Sequence, residues 1–147
     1  MSIKMIQIRA LTQKDYDDLI TLWEKAGLPY RARGRDSRQA IQVQIEENPD
    51  LFLGAFLEGE LVGGIIATFD GRKGWINRVA VIPEYRRQGI AQRLIDAAEK
   101  ALKKRGAKVI GTLIFNTNTS SLNLFQKMGY ITSKDIVYLS KRESQES

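Results

Sequence analysis

Val79-Ala80-Val81-Ile82-Pro83-Glu84-Tyr85-Arg86-Arg87-Gln88-Gly89-Ile90-Ala91 runs from the end of an apolar strand, through a basic loop, into the start of a helix. Pro83 ends the strand because it has no N–H to give to a ladder. At the first turn of a helix up to four amides lack an intrahelical acceptor and the macrodipole adds about half a positive charge, so an anion there meets donors and field together. Gly89 has no Cβ to hold an anion away from the backbone, Ala91 is nearly as small, and Arg86 and Arg87 add charge at the mouth. The stretch reads as a phosphate-binding strand, loop and helix. A solvated basic loop before an ordinary helix is the plain alternative.

Working outward, Ile90, Ala91, Leu94, Ile95, Ala98, Ala101 and Leu102 make one apolar face of a helix over 90–105, and Gly106 stops it. A strand over 109–115 follows, then a short helix over 119–128 ended by Gly129, then a strand from 130 to about 139 with a break near Lys134-Asp135. The polar tail 141–147 is expected to fray. Upstream, the apolar runs 51–57, 61–69 and 75–81 are joined by short Gly-containing turns, which reads as an antiparallel meander. Before it, a strand over 3–10 leads to Thr12, placed to cap a helix with Asp15 at its third position. Tyr16, Leu19, Ile20 and Trp23 give that helix its stripe, and Gly27 and Pro29 close it. Asp36 is placed to cap a second helix running to about residue 47, after a link that carries Arg31, Arg33 and Arg35 around Gly34. The order is α+β, one domain over 1–147, with one βαβ-type crossover in its second half.

Composition closes off much chemistry. The 147 residues hold no cysteine and no histidine, so disulfides, thiolate nucleophiles, Ser-His-Asp hydrolysis and His or Cys metal sites are all unavailable, and no metal is expected. Carboxylates, tyrosines, hydroxyls and backbone dipoles remain. A net charge of +6 favours an anionic partner without naming it. No run approaches the roughly 20 apolar residues of a membrane span, and no signal-peptide pattern opens the chain, so a cytoplasmic protein with no membrane partner is expected.

With Arg86, Gly89 and Ala91, the loop resembles the GNAT superfamily of N-acetyltransferases, whose Gln/Arg-x-x-Gly-x-Gly/Ala signature wraps the CoA pyrophosphate. The Val79-Ala80-Val81 triplet and Pro83-Glu84-Tyr85 match the family's lead-in, and Asn118, Ser121, Phe125 and Gly129-Tyr130 match a second signature on its fourth helix. The layout most resembles short YpeA-type members. The resemblance implies a mixed, mostly antiparallel sheet with about four helices on both faces. It implies acetyl-CoA as co-substrate, held by Val79, Ala80, Val81, Arg86, Arg87, Gln88, Gly89, Ile90, Ala91, Asn118, Ser121 and Phe125. It implies direct acetyl transfer to a primary amine, small-molecule or peptide, in a ternary complex, with the Val81 N–H as oxyanion donor. It also suggests a homodimer through the C-terminal edge.

Two positions depart from that pattern. Phe125 stands where many members carry a Tyr acid, and Asn77 where many carry a Glu base. Tyr130 is the candidate substitute acid, although an aromatic after Gly129 reads first as a core residue, and a water held by Asn77 and strand carbonyls is expected to take the ammonium proton. Asp70 and Glu84 are loop alternatives, each otherwise a solvated turn residue. Arg31, Arg33 and Arg35 lie where members place the segment over the acceptor, which suggests an acidic acceptor, or simply a solvated link. The departures at Phe125 and Asn77 keep open a CoA-binding module with weak or lost catalysis. Nucleic-acid binding has only the net charge behind it, since Lys and Arg are spread along the chain without a recognition motif. Labelled DNA and RNA are therefore expected to show no mobility shift with the protein at low or physiological salt.

Overall fold

The computed structural model describes residues 5–147. Residues 3 and 4 of the expected first strand lie outside the described residues. Five strands form one sheet in the order β1-β2-β3-β4-β5: β1 (Ile6–Ala10), β2 (Phe52–Leu57), β3 (Glu60–Phe69), β4 (Gly74–Val81) and β5 (Ile110–Thr112). The first four are antiparallel neighbours, and β5 joins β4 in parallel through the crossover helix α3 (Ile90–Lys104). The other helices are α1 (Tyr16–Ala26), α2 (Arg38–Glu47) and α4 (Thr119–Lys127).

Each face of the sheet has its own cover, and the glycines of β3 reveal which. A Cβ on Gly63 would meet Ile90 and Leu94 of α3, whereas one on Gly64 would meet Leu22 and Leu19 of α1. The stripe of α3 is buried as its spacing predicts, at Ile90, Leu94, Ile95, Ala98 and Leu102, and Lys103 and Lys104 fall in its last turn, where the helix dipole favours cations. Leu19, Leu22 and Trp23 do the same for α1, which ends on Gly27 at φ 75°. That left-handed conformation costs a glycine little, hence the stop.

Alternation fails at one point in β4, with consequences for the site. The pairing passes from Ile66↔Arg78 to Ala67↔Ile76, so Asn77 is an extra residue, a β-bulge. A bulge turns two successive side chains toward one face. Asn77 and Arg78 therefore both look toward α1 and α2, while Gly74, which a Cβ would press against Leu102, looks toward α3.

Several expectations are corrected. Ser37, not Asp36, caps α2: its Oγ accepts from the Ala40 N–H at 3.1 Å. Asp36 instead takes the Arg31 N–H at 2.7 Å and holds the link closed on itself. The strand expected over 109–115 is only Ile110–Thr112. Residues 130–139 form no strand, and Ile131, Ile136, Val137, Tyr138 and Leu139 are exposed. Strand composition without a ladder partner does not make a strand, and three residues of β5 offer few groups to pair with. The tail also differs from expectation: Glu146 pairs with Arg33 at 3.5 Å, and its main-chain carbonyl lies against Gly34.

The start of α1 is locked by Asp15, which is 8% exposed. Its carboxylate accepts from the Thr12 N–H at 2.8 Å and from both Nη atoms of Arg9 at 3.1 and 3.3 Å. Burial pushes its pKa up, but the Arg9 and Thr12 hydrogen bonds outweigh burial and hold it below the usual carboxylate range. A depressed pKa contributes stability that is complete above the unfolded value, about 3.9, and is lost as pH falls through the folded value. Asp15→Asn should cost about 1–2 kcal/mol at neutral pH. In urea titrations the gap to the parent should narrow as pH falls below about 4.

Candidate functional site

Beyond Ile76, β4 has a partner on one side only. Its pairing with β5 comprises Gly74↔Ile110, Trp75↔Gly111 and Ile76↔Thr112, and the Thr112 hydroxyl closes it by donating to the Ile76 carbonyl at 2.8 Å. On the other side the ladder with β3 continues, and the Ile82 N–H donates to the Val62 carbonyl at 2.9 Å. Hydrogen-bonded and non-bonded pairs alternate in an antiparallel ladder. With Ile82 in a bonded position, the register places Ala80 and Arg78 in bonded positions too. Val81 and Val79 are the non-bonded residues, and their N–H groups point away from β3 into the gap where β5 has ended.

That gap leads to the start of α3. Gly89 caps the helix at φ 80°, no side chain bonds to the cap, and no acidic residue stands in the first turn. A Cβ on Gly89 would meet nothing within 4 Å, so the protein needs glycine there for its left-handed backbone and not for space. Arg87 before it is also left-handed, at φ 64°. Arg87 and Gln88 are exposed, Ile90 is buried in the core and Ala91 is partly buried. Arg86 differs from expectation: its guanidinium does not stand free at the loop mouth. Its Nε donates to the Val81 carbonyl at 3.1 Å and its Nη2 to the Ala26 carbonyl at 3.2 Å, which ties the end of α1 to the end of β4.

On α4, Asn118 is the N-cap, and its Oδ1 accepts from the Ser121 N–H at 3.2 Å. Two of the expected cofactor residues are thus a capping pair. Phe125 is buried and meets Tyr130 edge-on, with ring centroids 4.9 Å apart. The Tyr130 hydroxyl donates to Glu99 Oε2 at 2.6 Å, and burial, with that bond second, pushes its pKa up. Glu99 sits nine residues into α3 from Ile90, about 13 Å along the axis at 1.5 Å per residue.

A cleft of about 340 Å³ opens on the face shared with α1 and α2. Its floor is Ile66 and Thr68 of β3 with Trp75, Asn77 and Arg78 of β4, and its wall is Arg35, Asp36 and α2. Leu113, just past β5, closes the side next to the gap. Asn77 Nδ2 donates to Thr68 Oγ1 at 3.0 Å. Arg78 lies over the Trp23 ring, 4.4 Å from its centroid, and donates from Nη2 to the Pro29 carbonyl. Its Nε is buried with no hydrogen-bond partner. Burial lowers its pKa, Asp36 opposes that, and Arg35 and Arg31 add to it.

A strand with free amides facing a gap, followed by an uncapped helix N-terminus, is the arrangement the sequence motif implied. The family model described as "Acetyltransferase (GNAT) family" matches residues 9–130. The chain belongs to the GNAT acetyltransferases. An acetyltransferase of Sodalis glossinidius is 34% identical over 139 residues, covering 93% of this chain and 95% of that protein. One of Pectobacterium atrosepticum is equally similar, at 34% over the same coverage. Among solved structures, the PaiA N-acetyltransferase of Thermoplasma acidophilum in complex with coenzyme A superposes with a TM-score of 0.76 at 25% identity, covering 88% of this chain and 91% of that one. The GNAT fold expected from the sequence is the one observed, and the protein is an acyltransferase that uses acetyl-CoA. Among the described residues no group of side chains could hold a metal ion, and no helix is long and apolar enough to cross a membrane.

The loop carboxylates are placed elsewhere. Asp70 accepts from the Lys73 and Arg72 N–H groups at 2.7 and 2.8 Å, and those bonds hold its pKa down, so it builds the β3–β4 turn. Glu84 is exposed on the short turn Pro83–Tyr85. Sequence reading missed Asp36 as a cleft residue and Arg78 as its floor. The available signal was the Asn77-Arg78 pair interrupting an apolar strand, a position that demands a reason. Removing the strap with Arg86→Ala should lower stability by about 1 kcal/mol, read from the urea midpoint. Arg86→Lys should fail to restore it, because one ammonium on a flexible stem does not reproduce the planar fork.

Proposed function

We propose that the β4–β5 gap and the first turn of α3 seat acetyl-CoA, and that a primary amine attacks from the cleft on the α1/α2 face with both substrates bound. The observation that carries this is continuity. The free amides of Val79 and Val81 and the free amides of the α3 first turn lie along one stretch of chain, and the cleft meets the same strand from one face.

The residues present fit such a co-substrate. Uncapped amides at Ile90 and Ala91, with Arg87 and Gln88 beside them, suit a diphosphate, while Asn118 and Ser121 at the head of α4 and buried Phe125 remain contributors on the far side of the gap. Val79 and Ala80 supply extended backbone against which an amide-bearing arm would pair. Bound there, acetyl-CoA supplies an activated acetyl thioester. The Val81 carbonyl is already occupied by Arg86, which leaves its N–H to face the charge that develops on the thioester oxygen. Removal of one such donor costs about 3 kcal/mol in other enzymes.

Proton handling falls to weaker groups. Asn77 spends its Nδ2 on Thr68 and keeps Oδ1 as an acceptor in the cleft, able to hold a water that takes the proton from an amine with a pKa near 10. Tyr130 is a poor acid where it stands, bonded to Glu99 with its pKa raised. A thiol with a pKa of about 8.5 leaves as thiolate near neutral pH without one. The alternative of a CoA-binding module with weak or lost catalysis draws on the same two positions, and release of free thiol from acetyl-CoA in the presence of amines separates it. Pairing of two copies is supported by the short β5 edge and the exposed Ile131, Ile136, Val137, Tyr138 and Leu139.

Calorimetry should detect CoA binding to the parent protein. Gly89→Val forces a branched side chain into a left-handed backbone at about 1–2 kcal/mol, so affinity should fall about tenfold or more. No heat with the parent, or equal affinity in the variant, would overturn the assignment.

A further inference from the structure

The cleft lining carries two arginines, Arg35 and Arg78, against one carboxylate, Asp36. Arg78 is half-buried by the bulge geometry. Trp23 lies against one face of its guanidinium and the Pro29 carbonyl takes one Nη2 donor, but among the described residues Nε and Nη1 have no acceptor. Arg35 lines the same cleft, is exposed, and makes no hydrogen bond or ion pair with any described residue. Arg31 acts on Arg78 from nearby with the same sign. The only carboxylate in the lining is Asp36, which acts on Arg78 with the opposite sign and spends one oxygen on the Arg31 amide, so one negative charge faces two guanidinium groups.

Arg33, from the same link, behaves differently. It is not among the residues that line the cleft and pairs with Glu146 of the chain's C-terminal tail. Arg33 is thus satisfied within the chain, whereas Arg35 and Arg78 both line the cleft and share Asp36 as its one carboxylate.

A half-buried guanidinium with unmade hydrogen bonds is costly, and a carboxylate is the group that best answers two of them, because charge-assisted forks are short and geometrically matched. Taken with the reading of this cleft as the amine entrance, on which the inference rests, we propose that the acceptor is an amine that also bears a carboxylate, gripped between Arg35 and Arg78 while its amino group reaches past Asn77 toward the gap. Arg78 and Asn77 are sequence neighbours turned to one face, so carboxylate and amine are recognised a few bonds apart. That suits a small amino acid or the acidic N-terminal end of a peptide. The expected role of Arg31 and Arg33 is thereby reassigned: the anion site is Arg35 with Arg78, a residue outside the link.

The test compares amines of one length that differ only in charge: 5-aminopentanoate, 5-aminopentanamide and 1,5-diaminopentane. Peptides beginning with two acidic or two basic residues form a second arm, and release of free CoA is the readout. The carboxylated amine should exceed the amide in kcat/KM by about tenfold or more. Arg35→Gln should erase most of that ratio through KM, and Arg35→Lys should restore part of it. Trp75 lines the cleft and Trp23 lies under Arg78, so tryptophan fluorescence of the CoA-bound protein should titrate with 5-aminopentanoate at concentrations where 5-aminopentanamide has no effect. Release with acidic peptides alone supports the inference with a peptide as source. Equal or greater rates on neutral or cationic amines overturn it and leave acetyl transfer standing. No release with any amine, while CoA still binds, overturns acetyl transfer and this inference together.

Discussion

A strand can be hydrogen-bonded on both sides only where both neighbours run beside it, and β4 has two neighbours for its first three residues alone. Its ladder with β3 must persist, since it carries the core between α1 and α3. Its ladder with β5 ends at Ile76, which leaves the amides of Val79 and Val81 without a strand partner. Thr112 sits at that boundary and caps the last pair through its side chain. The chain leaves β4 past that point through the Pro83–Tyr85 turn and enters α3 at Gly89, so the unpaired end of the strand and the uncapped helix start are close in sequence.

Much of the fold was legible because the elements are locally consistent. The stripe of α3, the meander turns and the Thr12–Asp15 start of α1 each name their structure through spacing and chemistry that tertiary packing does not override. The segment 130–139 was not legible. Its β-rich composition promised a strand, but a strand is defined by the backbone groups of its neighbour, and composition says nothing about whether β5 is long enough to supply them. Asp36 and Ser37 show a smaller version of the problem. Both are good caps one residue apart, and the choice was decided by a tertiary demand, the need to satisfy the Arg31 amide.

The site divides along the same line. The geometry of the strand, loop and helix start was readable, since a strand, a Pro stop, a glycine and a helix start lie within thirteen consecutive residues. The cleft was not, because its lining is assembled from β3, β4, the link and α2, and because the register shift that turns Asn77 and Arg78 to one face is set by pairing with β3. Arg86 carries a related lesson. Its identity suggests charge for a ligand, and its Nε and Nη2 are also spent on the Val81 and Ala26 carbonyls.

The bulge at Asn77 also sorts the information carried by a single strand. Beyond it, the side chains of Val79 and Val81 pack toward α3 and their amides lie in the sheet plane. At the bulge, Asn77 and Arg78 share the opposite face. Substitutions at 77 and 78 can therefore rewrite what the cleft accepts while the groups lining the gap stay fixed. Under the proposed roles of cleft and gap, a chain built this way is able to diversify its choice of one reactant without renegotiating its hold on the other.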